Sequence, residues 1–424
     1  MAVEVEAQTM VVAMAVAALA RAVVLGRVRV NVLEIVTVVQ VVATSRLVHT
    51  CKPFMAKRRI VFIVTQDCQL QCNYCYLIGK NKEGRMTWET AKRIADFLMS
   101  LPVIENEVIF DFIGGEPLLE IDLISKVSDY LVETMEKTNH PWLKNYSFRF
   151  TTNGLTYSTN KVQEFIEKYK DHLSVQISID GTKKKHDINR VFANGEGSYD
   201  RLIPNVKLWI NQFGKDARSF MVISHEDLPY LSESIIHLIE LGIQDLAVSL
   251  VVEDVWKAGD DAILENEFMV VANYIIEKRL WDKVIVSMLR KEVGEKEKDE
   301  HIFPCGQPMY VFDAHGKIYT CVRFVDYSLR SKPARIIGTI QDGIDYNKIR
   351  PLLAYNRISS YPLECLDCEI GACCRWCPAE SYDSSETGTI FQRTTTVCQL
   401  HKATVRVKNY LWNRINYLIE NERP

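Results

Sequence analysis

From about Arg58 onward, short apolar runs alternate with longer stretches of helical periodicity. The runs are IVFIVT (60–65), VIFDFIG (108–114), YSFRFTT (146–152), LSVQISI (173–179), SFMVIS (219–224) and LAVSLVV (246–252). All have strand length and are rich in β-branched and aromatic residues. Between them, TWETAKRIADFLMSL (87–101) and LLEIDLISKVSDYLVETMEK (118–137) carry apolar residues three and four apart, and further helices are predicted at 159–170, 198–213, 228–241 and 261–280. Strands alternating with helices predict right-handed βαβ units, hence an α/β fold with a parallel sheet.

Two breaks in this rhythm divide the chain. LRKEVGEKEKDEH (289–301) is charged and of mixed sign, which reads as a solvated linker, and beyond it the composition changes to cysteine, glycine and short turns. The first fifty residues hold sixteen Val and nine Ala, with no aromatic residue and no proline. Their run MVVAMAVAALA is too short to span a bilayer, and Arg21, Arg27, Arg29 and Glu34 interrupt the residues beyond it. The resulting division is a Val/Ala-rich extension (1–57), a βα region (58–288), a charged linker (289–304), a cysteine-rich domain (305–400) and a C-terminal helix (401–424).

Length and composition narrow the class further. A chain of 424 residues holds two domains or one large domain with an extension. Its 47% apolar and 25% charged content is ordinary for a globular protein, and a net charge of −3 gives no reason to expect nucleic acid. No segment reads as secretory or membrane-spanning. Eleven of the twelve cysteines fall into tight groups, which points to metal rather than to a disulfide scaffold; Cys51 stands apart as a plain thiol.

The first group, Cys68, Cys72 and Cys75, comes directly after the first apolar run with C-x3-C-x2-C spacing. Three thiolates can hold three irons of a cubane and leave the fourth open. A structural zinc site or a ferredoxin cluster takes four protein ligands, and no fourth Cys or His lies nearby. A zinc loop or electron-transfer cluster is the bland alternative. The second strand ends in IGGEP (113–117), where Gly114 and Gly115 permit close backbone approach and Glu116 offers an acceptor to an ammonium group. The third ends in TTNG and the fourth in ISIDG, placing Asn153, Ser178 and Asp180 at strand ends, where they are either cofactor contacts or ordinary turn chemistry. Arg190 comes next in DGTKKKHDINR, with His186 read as structural.

In the cysteine-rich region, Cys305 is followed by ten residues, Gly316, four residues and Cys321; Cys365, Cys368, Cys373, Cys374, Cys377 and Cys398 come later. Together the two motif sets resemble the radical SAM enzymes with a C-terminal SPASM extension, over roughly residues 58 to 400. The resemblance implies a partial (β/α)6 barrel, S-adenosylmethionine (SAM) as cofactor, and three [4Fe–4S] clusters, one SAM-binding and two auxiliary. Cys68, Cys72 and Cys75 would hold the SAM cluster, with Tyr74 in the aromatic position of that motif. Gly114, Gly115 and Glu116 would meet the SAM amino group. Asn153, Ser178 and Asp180 would reach ribose or carboxylate, and Arg190 would pair with the methionine carboxylate. Interleaved ligation would give Cys305, Cys321 and Cys377 to the first auxiliary cluster, and Cys365, Cys368, Cys373 or Cys374, and Cys398 to the second. The spacing departs from the SPASM pattern by one residue at Cys373/Cys374 and leaves that choice open.

The relatives so implied mostly modify peptides. An auxiliary cluster with only three obvious thiolates offers an open iron to a substrate thiol, so the expected activity is that of a radical SAM maturase forming Cys thioether crosslinks in a ribosomally made precursor peptide. Flavodoxin or ferredoxin would supply electrons, and a reducing, anaerobic cytoplasm is the natural setting. Alternatives are formylglycine formation of the sulfatase-maturing type, epimerisation or carbon–carbon crosslinking, or a non-enzymatic iron–sulfur carrier or sensor. The sulfatase-maturing branch places an aspartate directly after the cysteine matching Cys321; here Val322 and then Arg323 occupy those positions. No catalytic base is identified.

Overall fold

In the computed structural model the described residues are 57–424, except 79, 81–83, 104, 106, 254, 292–308, 355–360, 372–373, 375–376 and 422–424. All of the Val/Ala-rich extension but Lys57, with Cys51, Cys305, Cys373 and nearly all of the charged linker, lies outside them. Six strands run in order: β1 (Lys57–Thr65), β2 (Glu107–Gly114), β3 (Tyr146–Thr152), β4 (Leu173–Ser178), β5 (Arg218–Ile223) and β6 (Asp245–Leu250). They pair as sequential parallel neighbours, as the βαβ pattern predicts. The intervening helices are α1 (Trp88–Ser100), α2 (Ile121–Thr138), α3 (Asn160–Tyr169), α4 (Lys183–Asn189), α5 (Tyr199–Phe213) and α6 (Leu231–Glu240), and α7 (Asp260–Glu277) comes after β6. The start of α1 is locally encoded; Thr87 caps it by accepting from the Thr90 amide at 3.1 Å.

Three features go beyond the sequence pattern. The tract TKKKH holds the short helix α4, which begins at Lys183 and carries a fully buried Lys185. A two-residue strand β7 (Ile285–Val286) extends the sheet past β6. On the other edge, β8 (Met309–Phe312) pairs parallel with β1, and β9 (Lys317–Tyr319), β10 (Gly338–Thr339) and β11 (Gly343–Ile344) continue antiparallel. The cysteine-rich region therefore shares one eleven-stranded sheet with the βα units.

Strand β1 is buried on both faces, and the two faces serve different layers. Ile60, Phe62 and Val64 join the main core under the helices, where Phe62, Phe110, Phe112, Phe148 and Phe150 are fully buried. Phe62 and Phe112 pack with ring centroids 5.5 Å apart. Val61 and Ile63 point the other way, into a second cluster with Tyr319, Phe324, Tyr361 and Ile390. The later elements α8 (Tyr346–Leu353), α9 (Leu363–Leu366) and α10 (Pro378–Ser384) lead to the long α11 (Cys398–Asn421). Helix α11 packs on α7 through Arg406 on Glu265 and through the Tyr410 hydroxyl on Asn273 (2.9 Å). No helix among the described residues is long and apolar enough to cross a membrane.

Candidate functional site

The first three cysteines ride on a loop at the carboxyl end of β1, the end where parallel α/β barrels place their chemistry. Asp67 Oδ1 accepts from the Cys68 amide at 3.0 Å, and the Cys75 amide donates to the Cys72 carbonyl at 3.1 Å. The loop is stitched to the segment carrying Arg190. The Gln71 amide donates to Val191 O (2.8 Å), the Asn73 amide to Asn189 O (3.0 Å), and Leu70 bridges Phe192. Cys68, Cys72 and Cys75 are all half-buried free thiols.

Gly114 and Gly115 approach their own chain, and that decides their identity. A Cβ on Gly114 would lie 2.1 Å from Thr65 O, and one on Gly115 would lie 2.3 Å from Asp67 O. The Gly115 and Glu116 amides donate to those same two carbonyls, at 2.9 and 2.8 Å. Glycines thus dock the end of β2 onto the base of the cysteine loop. The Glu116 carboxylate is fully buried and takes three protein donors: the Leu118 amide (3.0 Å), the Thr152 hydroxyl (2.6 Å) and the Asn153 amide (2.7 Å). Burial pushes its carboxyl up to about 7 despite those donors. Its first task is to lock β2 to β3. A carboxylate has about four lone-pair sites, so one remains for a further donor. Asn153 carries the connection forward, its side-chain amide reaching Gln69 Oε1 at 2.9 Å and the Cys68 sulfur at 3.8 Å.

Ser178 closes β4, and Asp180 lies two residues beyond it. Asp180 is fully buried and spends both oxygens on the protein. Oδ1 accepts from the Val222 amide (3.0 Å); Oδ2 accepts from Arg190 Nε (2.9 Å) and from the Tyr74 hydroxyl. Burial pushes this carboxyl up, but Arg190, Lys185 and His186 outweigh it and hold it below its usual range. The Arg190 guanidinium also lies 5.4 Å from the Tyr74 ring centre. Asp180 therefore anchors Arg190 and Tyr74 rather than offering a free carboxylate to a ribose. His186 is structural, as expected. It accepts from the Asp180 amide at Nδ1 (3.2 Å) and faces Ser198 Oγ with Nε2 (3.0 Å), and that hydroxyl donates to Arg190 O (2.8 Å).

The later cysteines fall into two neighbourhoods. The Cys365 and Cys374 sulfurs both accept from Arg393, at 2.9 and 2.6 Å, and Cys398 feels Arg393, Cys365 and Cys368 electrostatically. Cys321 and Cys377 sense one another beside Arg323. Arg393 thus brings Cys365 and Cys374 together, with Cys398 in its field, while Cys377 and Cys321 share the field of Arg323. Tyr76, next to Cys75, lies within electrostatic reach of Cys321, so the second neighbourhood adjoins the first loop.

Comparison with known proteins identifies the family. The model of the radical SAM superfamily matches residues 62–229. An uncharacterised protein of Methanocaldococcus jannaschii is 30% identical over 266 residues, which is 62% of this chain and 84% of that protein. This chain belongs to the radical SAM superfamily. The cysteine-type anaerobic sulfatase-maturating enzyme of Clostridium novyi is 29% identical over 167 residues, 38% of this chain and 42% of that enzyme. Among solved structures, anSMEcpe with bound AdoMet and a Cp18Cys peptide superimposes with a TM-score of 0.64 at 17% identity, covering 85% of this chain and 99% of that one. Streptococcus suis SuiB bound to its precursor peptide SuiA gives 0.53 at 17% identity over 90% and 89% of the two chains. At that identity the likeness shows the shared radical SAM fold.

The residues at the first loop fit the radical SAM cofactors. Among the described residues no three His, Cys, Asp or Glu side chains converge on a single ion position. The Cys68 sulfur accepts from the Leu70 amide at 3.4 Å, and Lys80 lies within electrostatic reach of all three sulfurs. Burial pushes the Cys68 thiol up to about 12.

Two further arrangements lack any sequence motif. Arg323 binds Glu253, just past β6, and Glu380 of α10 (3.0 Å), tying the barrel mouth to the Cys321/Cys377 neighbourhood. His225, two residues past β5, contacts both oxygens of buried Asp260 through Nδ1 at 2.9 Å. Separations of 70 and 35 residues hide both pairs in the linear chain.

Proposed function

We propose that this protein is a radical SAM peptide maturase that joins a cysteine sulfur to a carbon atom of a ribosomally made precursor peptide. The observation that carries the reading is the Cys321/Cys377 neighbourhood beside the first cysteine loop, with Val322 where a sulfatase-maturing enzyme would have an aspartate. Cys68, Cys72 and Cys75 would hold a [4Fe–4S] cluster which, with SAM, supplies a 5′-deoxyadenosyl radical. Arg190, braced by Asp180 and Tyr74, would take the methionine carboxylate through its terminal nitrogens. Glu116 and the end of β2 would receive the ammonium group. Cys321 and Cys377, with Cys305, would hold one auxiliary cluster; Cys365, Cys368, Cys398 and one of Cys373 and Cys374 would hold the other, with Cys374 favoured by its place beside Arg393. A low-potential donor such as flavodoxin or ferredoxin would supply electrons. The solved neighbours support a peptide as substrate, since both SuiB and anSMEcpe were captured with peptides.

Formylglycine formation is the second reading, favoured by the Clostridium novyi relative and by the higher TM-score of the sulfatase-maturing structure. One experiment separates the two. The chain is reconstituted with iron and sulfide without oxygen, reduced, and incubated with SAM and a Cys-repeat precursor peptide or a sulfatase-derived Cys peptide. The thioether reading expects a loss of two hydrogens per crosslink and thiols that no longer alkylate. An aldehyde that traps with a hydrazide, on the sulfatase peptide alone, establishes the second reading instead.

A further inference from the structure

Arg393 sits at the outer cysteine neighbourhood in a way that packing alone does not require. Its two terminal nitrogens fork onto two different sulfurs, Nη1 to Cys365 at 2.9 Å and Nη2 to Cys374 at 2.6 Å. Cys398 lies within its electrostatic reach. The guanidinium packs over Tyr361, 5.5 Å from the ring centre, and the Tyr361 hydroxyl donates to the Cys374 carbonyl at 2.6 Å. One aromatic side chain thus fixes both the plane of the fork and the backbone of one of the sulfurs it grips. These sulfurs stand for the thiolate ligands of a bound cluster.

We propose that Arg393 sets the reduction potential of the cluster held by Cys365, Cys368, Cys374 and Cys398, keeping it more positive than four thiolates alone would. The proposal rests on the reading of this neighbourhood as an auxiliary iron–sulfur site. A guanidinium stays protonated at any working pH and is lightly hydrated, so it keeps its charge when half-buried against sulfur. Hydrogen bonds to the ligand sulfurs and a fixed positive charge both favour the more negative, reduced form of a one-electron couple. The consequence is directional. A cluster poised positive accepts an electron from the other clusters more readily than it returns one.

The test is an anaerobic redox titration of the reconstituted full chain, with dithionite as reductant, ferricyanide as oxidant, and each cluster followed by its electron-spin signal. Cys398→Ala first identifies the outer cluster as the signal it removes. Arg393→Gln should shift that midpoint to more negative potential by at least the 59 mV that a tenfold change in the oxidised-to-reduced ratio represents for one electron. The other midpoints should stay put, and Arg393→Lys, which keeps the charge but loses the fork, should fall between. If Arg393→Gln fails to hold the cluster, Arg393→Lys decides, a negative shift supporting the proposal and a wild-type midpoint overturning it. An unmoved midpoint in Arg393→Gln, or an equal shift of every cluster, overturns it as well. Iron content near eight rather than twelve atoms per wild-type chain, with no signal lost in Cys398→Ala, defeats the auxiliary-site reading and the proposal with it. A wild-type iron content of about twelve with an unmoved midpoint defeats the proposal alone.

Discussion

Arg190 donates from Nε to the fully buried Asp180 at 2.9 Å, which commits one edge of the guanidinium and leaves its terminal nitrogens as the part able to meet a carboxylate. Tyr74 converges on the same Asp180 oxygen and Arg190 lies against the Tyr74 ring, so one carboxylate orients both side chains that flank Cys72. Asp180→Asn would leave a buried arginine uncompensated, at a cost of about 3 kcal/mol. We expect a lower urea midpoint and, in the reconstituted protein, SAM affinity reduced at least tenfold, read from the SAM-induced change in the cluster's electron-spin spectrum. Wild-type affinity in this variant would mean that Asp180 does not brace the arginine.

Gly115 is the tightest point between β2 and the cysteine loop. A methyl group there would meet backbone oxygen of Asp67 at 2.3 Å and of Gln66 at 2.5 Å, and backbone cannot swing aside as a side chain can. Gly115→Ala is expected to cost about 2 kcal/mol or more and to push the loop off the strand end. The sensitive readout is iron per chain after reconstitution, which should fall before global folding does. Full iron loading with an unchanged melting temperature would show that the loop adjusts freely.

His186 supplies a pH signature. Burial lowers its pKa from 6.5 to about 4, so the folded state excludes a proton that the unfolded chain binds. The stability it contributes is present above pH 6.5 and is lost as pH falls toward 4, amounting to about 3 kcal/mol across that window. Urea unfolding of wild type at pH 7, 6 and 5 should show this decline on top of the general acid response. His186→Asn should be weaker at pH 7 but flatter with pH. An identical slope in the two proteins would remove His186 as its source.

Much of this arrangement is written locally. The six strands announce themselves because a strand buried on both faces must be apolar almost throughout, and the helices between them because one face must be apolar. The cysteine spacing, GGEP, TTNG and ISIDG are legible because each sits at a strand end, where the fold brings them together. Other features are long-range. The helix α4 hides in a lysine run, since nothing local reveals that Lys185 is buried against Asp227 (3.1 Å) and the Val222 carbonyl (2.8 Å). Strand β7 is two residues long, too short for any period to register. The roles of Glu116 and Asp180 were legible only in part. Sequence marks a carboxylate at a strand end, but not whether its oxygens face a ligand or, as here, mainly the donors of neighbouring strands. Arg393, Glu253 and His225 carry no spacing rule and become visible only through their partners.

The two cysteine neighbourhoods predict how iron loss should combine. If Cys321 and Cys377 serve one cluster, Cys321→Ala removes about four irons from a full complement of about twelve, and adding Cys377→Ala removes no more. If Cys398 serves the other with Cys365, Cys368 and Cys374, then Cys321→Ala/Cys398→Ala loses about eight. The Cys68, Cys72 and Cys75 loop should keep its SAM-responsive signal in all of these variants, because its backbone amides are held by the Asn189 and Val191 carbonyls and the Thr65 hydroxyl, not by the later cysteines. Iron and sulfide assays with electron-spin spectra of the three variants read this directly. Additive losses for Cys321→Ala and Cys377→Ala would place those two thiols on different clusters and undo the grouping.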